Sequence, residues 1–445
     1  MDDKIIPIPT FAINLKKRVD RKAHIINQFK GRNEFDLKIV EAIEDKIPTL
    51  GIWKSILHII KNLTNEEDEY IIVCEDDHEF TKDYTAEGLR ESIKKAKSLD
   101  ADILYGGLIS HVCAIPVSDN LFWVQFAFGN QFMLIFKKFF PVLISNEHPK
   151  IIYLADYKIS TLSDRKLVIH PFISVQKEFG YSDVSPENEK EGHISTQFQD
   201  GNKRLYLLTK LWNRFQSIKA ETKKESNEID VSSLIISTFI ISSPKKKKNL
   251  KHIQTQFDNK PEFDITIVES CKHKNEAVGF WQTIRKIIQT AIENDEEVII
   301  ICRDDHEFTK NYSKEYLFGN IIKACRTGVG CLMGECSAIQ HAIPFTENLY
   351  WTNACSGKQF IVIYKQLFRK IMDEPVDEKI LTDDPLSGIV ASKMVLYPAI
   401  SVSKNITHSA IAPLQNENFR MSQNFFYDVT ERLEKIREAY LMFNK

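Results

Sequence analysis

The chain lacks a long apolar run. Its longest, Leu234–Ile241 (LIISTFII), falls far short of the ~20 residues that a membrane span needs. It also lacks an excess of either charge. The 59 Lys and Arg against 61 Asp and Glu leave a formal net charge of −2, which excludes a globally basic nucleic-acid coat and an acidic solvating chain, though not a local patch. The opening MDDKIIPIPT shows no charged-then-apolar leader pattern. The eight cysteines, two in the first half and six in the second, lack disulfide-like spacing. A reduced, cytoplasmic chain with no nucleic-acid partner is therefore expected. The sequons at Asn62, Asn311 and Asn405 are then chance matches. What is present is material for full-sized cores, with 43% hydrophobic and 27% charged residues. At ~150 residues per domain, 445 residues predict about three domains.

Self-similarity revises that number. A shift of 228 superimposes Phe11–His148 on Phe239–Val376 without a gap, with roughly 50 identical pairs where chance gives about 8. The string DDHEFTK recurs at Asp76–Lys82 and Asp304–Lys310, and AIP at Ala114–Pro116 and Ala342–Pro344. After a one-residue gap, Asp156 pairs with Asp383 and Pro171 with Pro398. A period this long is a duplicated domain rather than a solenoid. The expected organisation is a domain over 1–217, a polar linker over 218–230 (IKAETKKESNEID) and a diverged second domain over 231–445. Each ends in an amphipathic segment, Leu205–Phe215 and Val429–Phe443.

Within one repeat, short apolar runs alternate with helical stripes. Phe11–Leu15, Leu37–Val40 and Ile103–Tyr105 have strand length, while Arg18–Phe29, Ile52–Leu63 and Glu87–Lys97 carry a 3.6-residue period. Further strands are expected near Val112–Ile115 and Phe122–Gln125. The class is α/β, a mostly parallel Rossmann-type sheet in each of two tandem domains.

The most informative stretch is IIVCEDDHEF, Ile71–Phe80. Four apolar residues deliver Glu75, Asp76, Asp77 and His78 to a strand's carboxyl edge, where open α/β sheets bind ligands. Crowded carboxylates repel unless a cation sits among them. A hard divalent ion, able in turn to hold a diphosphate, suits oxygen and imidazole ligands. The bland alternative is a solvated acidic turn, and the retention of DDHE in both repeats weighs against it.

These residues resemble family 25 glycosyltransferases, the lipopolysaccharide-type and collagen-type galactosyltransferases. FAINLKKRVDRK is similar to that family's opening strand and turn, and YIIVCEDDHEF to its apolar strand and E-D-D metal motif. GNQFMLIFKKFF resembles its glycine-led strand and helix, and HPFISVQKEFGYSDV its closing segment. The four segments keep the family's order over about 170 residues of the first repeat. The resemblance implies a GT-A fold, a nucleotide-sugar donor (UDP-sugars being usual), a divalent ion (Mn²⁺, or Mg²⁺) and transfer to a glycan or other hydroxyl acceptor. It puts Glu75 and Asp77 on the metal, with Asp76-x-His78 as a second register, and Asn14, Arg18 and Arg21 near the nucleotide. Asp156 falls on the late acid expected as catalytic base, with Asp383 as its counterpart. A loop or helix-capping role for Asp156 stands beside that reading. His170, matched by Tyr397, reads as a satisfied structural histidine. Trp53 and Trp281 read as core, and Trp123 and Trp351 are open to an acceptor role.

The repeats are unequal. Glu75 is matched by Arg303, a cation able to replace a divalent ion by pairing with Asp305 or a phosphate. Asn14, Arg18 and Arg21 become Ser242, Lys246 and Asn249, while Asp304, Asp305 and His306 survive. The first domain is thus expected to be the catalyst. The second is either degenerate or a diverged transferase that uses the Asp304/His306 register. Lys245–Lys248 reads as a solvated helix start, with peripheral contact to an anionic membrane as its alternative. The competing reading for the whole chain is a non-catalytic carbohydrate- or nucleotide-binding protein.

Overall fold

A computed structural model describes residues 6–147, 155–182, 186–224, 230–242, 247–336, 338–339, 341–353, 355–357, 359–374, 393–404 and 429–444. They form two compact units, Met1–Trp212 with Ala439–Lys445, and Asn213–Glu438.

In the first unit, β1 (Ile8–Asn14), α1 (Val19–Phe29), β2 (Phe35–Glu41), α2 (Pro48–Asn62) and β3 (Tyr70–Glu75) alternate as the pattern predicts. A short strand β4 (His78–Phe80) follows, then α3 (Ala86–Ser98), β5 (Ile103–Tyr105), β6 (Ser110–Pro116), β7 (Leu121–Phe128) and β8 (Phe132–Phe136). The unit continues with α4 (Phe140–Ser145), α5 (Ala155–Thr161), β9 (Lys166–Ile169), β10 (Ser174–Gln176) and the start of α6 (His193–Lys224), whose residues from Asn213 on belong to the second unit. The main sheet has the order β2-β1-β3-β8-β5-β9-β7-β6. β1 pairs in parallel with β2 and β3, and β5 with β9, whereas β8 and β7 run antiparallel to their neighbours. β4 and β10 form a separate antiparallel ribbon.

β3 shows why the sheet holds. Ile71, Ile72, Val73 and Cys74 are all buried, as expected for a strand covered on both faces. α2 turns Ile56, Ile59 and Ile60 inward as the stripe predicts, together with Trp53 and Leu57, while Ile52 lines the cleft described below. α6 runs on to Lys224, through the first half of the stretch expected to be a linker. That half, IKAETKK, has neither Gly nor Pro and is rich in strong helix formers.

The second unit repeats the plan with β11 (Ile236–Ser242), α7 (Lys247–Phe257), β12 (Phe263–Glu269), α8 (Glu276–Glu293), β13 (Val298–Arg303), β14 (His306–Phe308) and α9 (Lys314–Arg326). Then come β15 (Cys331–Met333), β16 (Ala338–Ile339), β17 (Ala342–Pro344), β18 (Leu349–Thr352), β19 (Cys355–Ser356) and β20 (Phe360–Tyr364). α10 (Lys365–Asp373), β21 (Lys393–Leu396) and β22 (Ser401–Ser403) follow, and α11 (Val429–Phe443) comes last, its residues from Ala439 on belonging to the first unit. Its sheet order, β12-β11-β13-β20-β15-β21-β18-β17, is that of the first unit strand for strand. Interior hydrogen bonds repeat too. His24 Nε2 contacts the His78 carbonyl at 2.9 Å, and His252 the His306 carbonyl at 3.1 Å. The Phe80 amide donates to Gln28 and the Phe308 amide to Gln256, while Tyr84 donates to Glu34 and Tyr312 to Glu262.

Candidate active site

β3 ends at Glu75, the chain turns at Asp76–Asp77, and β4 begins at His78. The turn leaves the acids at the carboxyl ends of β1, β2 and β3. A cleft of about 510 Å³ opens there, lined by Arg18, Arg21, Glu75, Asp76, Asp77, Gly129, Asn130, Gln131, Asp156 and the segment Gln176–Ser182, among others.

α1 supplies the countercharge. Arg21 Nη1 donates to Asp77 Oδ2 at 2.9 Å and to Asp76 Oδ1 at 3.2 Å. Its Nη2 donates to the Tyr181 carbonyl at 2.9 Å, and the guanidinium stacks on the Tyr181 and Phe179 rings. Asn14 Nδ2 donates to Asp76 Oδ2 at 2.8 Å, and Arg18 Nη1 stands 3.9 Å from Asp76 Oδ1. Gln176 Nε2 donates to Asp77 Oδ2 at 2.7 Å, while Asp77 Oδ1 is buried with no hydrogen-bond partner among the described residues. Burial and the neighbouring Asp76 push the Asp77 carboxyl up to about 6, against the pull of Arg21. Glu75 is held well above the usual carboxylate range by burial and by Asp77, Asp76 and Asp156. The strand end thus carries more acid than its two arginines neutralise.

Across the cleft, Asp156 opens α5. Its Oδ2 accepts from the Gly129 amide at 3.0 Å and its Oδ1 from the Tyr157 amide at 2.7 Å. Burial raises its pKa, and these two amides oppose the rise. Asp156 therefore lines the cleft and also pins the β7–β8 turn. Sequence reasoning missed Gln131, whose backbone carbonyl accepts from the Glu75 amide at 3.3 Å. The signal was there, since Gly-x-Gln recurs at Gly357–Gln359.

Among the other expectations, some are corrected and some hold. His78 does not reach the acids. β4 pairs with β10, so the imidazole turns into an aromatic cluster of Phe29, Phe80 and Phe132, with Nδ1 2.8 Å from Ser174 Oγ. Burial lowers its pKa to about 3. His306 repeats this against Ser401, Phe257, Phe308 and Phe360, so the Asp-x-His register is not assembled in either unit. Trp123 is 1% exposed, with Nε1 donating to the Asp164 carbonyl, and offers no acceptor platform. His170 is a satisfied histidine, held by Asn202. Trp53 and Trp281 are core. Asp383 and Lys246 lie outside the described residues.

In the second unit the charges are redistributed. Arg303 Nε stands 3.5 Å from Asp305 Oδ1, Ser403 Oγ donates to Asp305 Oδ2 at 2.9 Å, and Asn249 Nδ2 donates to Asp304 Oδ1 at 3.2 Å. The cation has moved from the helix to the strand end, and the helix position is neutral.

No family model matches the chain, and no curated protein does. Among solved structures, A197 from STIV is 14% identical, with a TM-score of 0.26 over 38% of this chain and 83% of that one. An apo UDP-glucose pyrophosphorylase is 9% identical, with a TM-score of 0.25 over 36% of this chain and 72% of its own. The apo-form glycosyltransferase GlyE of Streptococcus pneumoniae TIGR4 is 9% identical, with a TM-score of 0.24 over 72% of this chain and 99% of that one. Likeness at this level says nothing of activity or substrate.

Among the described residues no three His, Cys, Asp or Glu side chains converge as a complete metal site. Glu75 and the unpartnered Asp77 Oδ1 nonetheless fit a hard divalent ion of the kind held by one or two carboxylates and completed by substrate phosphates. No described helix is long and apolar enough to cross a membrane.

Proposed function

We propose that the first unit is a metal-dependent glycosyltransferase of GT-A type, related to family 25, that moves a sugar from a UDP-sugar to a hydroxyl of a glycan or glycoconjugate. The observation that carries this reading is the acid-rich end of β3 facing a cleft of about 510 Å³, with one Asp77 oxygen buried and without a partner among the described residues. Glu75 and Asp77 would hold the ion, Mn²⁺ or Mg²⁺, which when bound supplies charge neutralisation for the departing diphosphate.

The chain's own residues do the rest. Asn14 and Arg21 fix Asp76 and Asp77 so that the acids do not have to reorganise when ligand enters. Lys17, Arg18 and Lys177 border the cleft as cations for the phosphates. Asp156, which lines the cleft and is made more basic by burial, would take the acceptor hydroxyl's proton as that oxygen bonds the anomeric carbon and the bond to the diphosphate breaks.

In the second unit the Arg303–Asp305 contact favours a different role, a binding domain in which an arginine stands in place of the metal. Arg303, oriented by Asp305, would there meet a phosphate without an ion.

The test is thermal shift and calorimetry of the full chain with UDP and UDP-sugars, with and without Mn²⁺, beside a donor-turnover assay. Metal-dependent binding and turnover that Asp77→Asn abolishes are expected. Binding without turnover would make the chain a non-catalytic binding protein, and indifference to every nucleotide would overturn both readings.

A further inference from the structure

Gln131 sits in the last turn before β8, directly beside the acidic strand end, with 1% of its surface exposed. Its amide orientation is fixed, because Nε2 donates to the Gly107 carbonyl at 2.7 Å. The carbonyl end is therefore Oε1, and this oxygen is buried with no partner among the described residues. A buried acceptor left unmatched costs about as much as a hydrogen bond contributes, so its persistence needs an explanation. Its neighbour Asn130 also lines the cleft and also has a buried oxygen without a partner.

The second unit supplies an independent observation. Gln359 occupies the matching position, its carbonyl accepts from the Arg303 amide at 3.1 Å, and its Oε1 is likewise buried and without a partner among the described residues. The strand-end residue has changed from Glu75 to Arg303 and Asn130 is matched by Lys358, yet the glutamine and its orphaned oxygen remain. A group kept only to balance the acids would have no reason to survive that reversal of charge. The backbone geometry is specialised around it as well. Gly129 has φ +117°, and a Cβ there would stand 2.7 Å from Gln131 Oε1, so a glycine is what leaves that oxygen room.

The wall formed by Asn130, Gln131 and Asp156 thus presents acceptors. A wall rich in unmatched acceptors suits a ligand rich in O–H donors better than it suits phosphate, which is itself an acceptor. We infer that Gln131 Oε1 accepts a hydroxyl of the donor's sugar, which makes this wall the sugar-reading half of the cleft and leaves the diphosphate to the cations at Lys17, Arg18 and Lys177. This inference rests on the nucleotide-sugar reading of the site and assigns a specificity-determining residue within it. Gln131→Met keeps the side chain's length and removes both the acceptor and the donor. Gln131→Glu keeps an acceptor and sets a charge against the Gly107 carbonyl.

The experiment is calorimetric titration of the full chain, wild type and Gln131→Met, with UDP and with a panel of UDP-hexoses in the presence of Mn²⁺. Wild type that binds neither UDP nor any UDP-sugar defeats the underlying reading. If wild type binds, Gln131→Met is expected to weaken the preferred UDP-sugar about five- to tenfold, the worth of one neutral hydrogen bond, while UDP binds as before. The same loss should appear in wild type against the analogue of that sugar lacking the one hydroxyl, and the variant should not tell the two apart. A variant that weakens UDP and UDP-sugar equally, or that still separates sugar from deoxysugar, overturns the assignment. Circular dichroism and the unchanged UDP affinity guard against a misfolded variant.

Discussion

Arg303 Nε stands 3.5 Å from Asp305 Oδ1, a contact made within one strand end and its turn, whereas Arg21 reaches Asp77 from helix α1 at 2.9 Å. The same buried aspartate, repeated in both units, is neutralised from different elements. In the first unit this keeps position 75 for an acid; in the second, the strand end itself carries the cation.

Glu75→Arg should therefore separate nucleotide binding from metal. The position accommodates arginine in an otherwise matching strand end, so the variant should fold. Mn²⁺ should no longer raise Tm in the presence of UDP, and donor turnover should be lost. Metal dependence that persists unchanged would remove Glu75 from the ion's ligands.

Arg21→Ala leaves Asp76 and Asp77 buried without their main cation. Breaking a buried pair from one side typically costs about 3–5 kcal/mol. Asn249→Ala, at the matching position, removes one neutral donor and should cost about 1 kcal/mol. Urea unfolding of the two variants compares these directly, and equal losses would contradict the buried-charge account.

The two buried histidines set an acid limit on stability. His78 and His306 have folded pKa values near 3 because burial opposes their charging, while an unfolded histidine titrates near 6.5. Between about pH 3 and 6.5 the unfolded chain binds protons that the folded chain does not. Stability therefore rises with pH through that window and levels off above it. His78→Asn keeps a polar atom toward Ser174 but cannot titrate. It should flatten the slope by up to about 1.4 kcal/mol per pH unit, the value for one proton, read from urea unfolding between pH 4.5 and 7.

Gly129→Ala meets strain at φ +117° and contact with Gln131 Oε1 at 2.7 Å and the Ile109 amide at 3.3 Å. About 1–3 kcal/mol of destabilisation is expected. The displaced Gln131 should also cost discrimination among UDP-sugars, measured as relative kcat/KM. Gly31→Ala, at φ +78° with open space around it, is strained without contact and should leave that ratio unchanged.

Much of this architecture was legible in the residues. The 228-residue offset foretold two matching sheets, and the run Tyr70–Cys74 foretold β3 and its acidic outlet. His78 was misplaced because a run of acids and histidine reads as one cluster along the chain. In space, the turn at Asp76–Asp77 starts a new strand and reverses the side on which the next side chain lies. The antiparallel β7 and β8 were hidden because buried strands are apolar whichever way they run. Arg21's double contact with the acids depends on α1 packing over a strand end 55 residues away in sequence. Gln131 carried no chemical signature of its own, since an unmatched acceptor shows only once the neighbours are in place.

The paired hydrogen bonds behind the two acidic strand ends, His24 with His78 and His252 with His306, Gln28 with Phe80 and Gln256 with Phe308, have a practical consequence. They hold the same posture beneath rims of unlike charge, so the chain carries its own internal control. The triple change Ser242→Asn, Asn249→Arg and Arg303→Glu would graft the acidic rim onto the second chassis with every one of those bonds untouched.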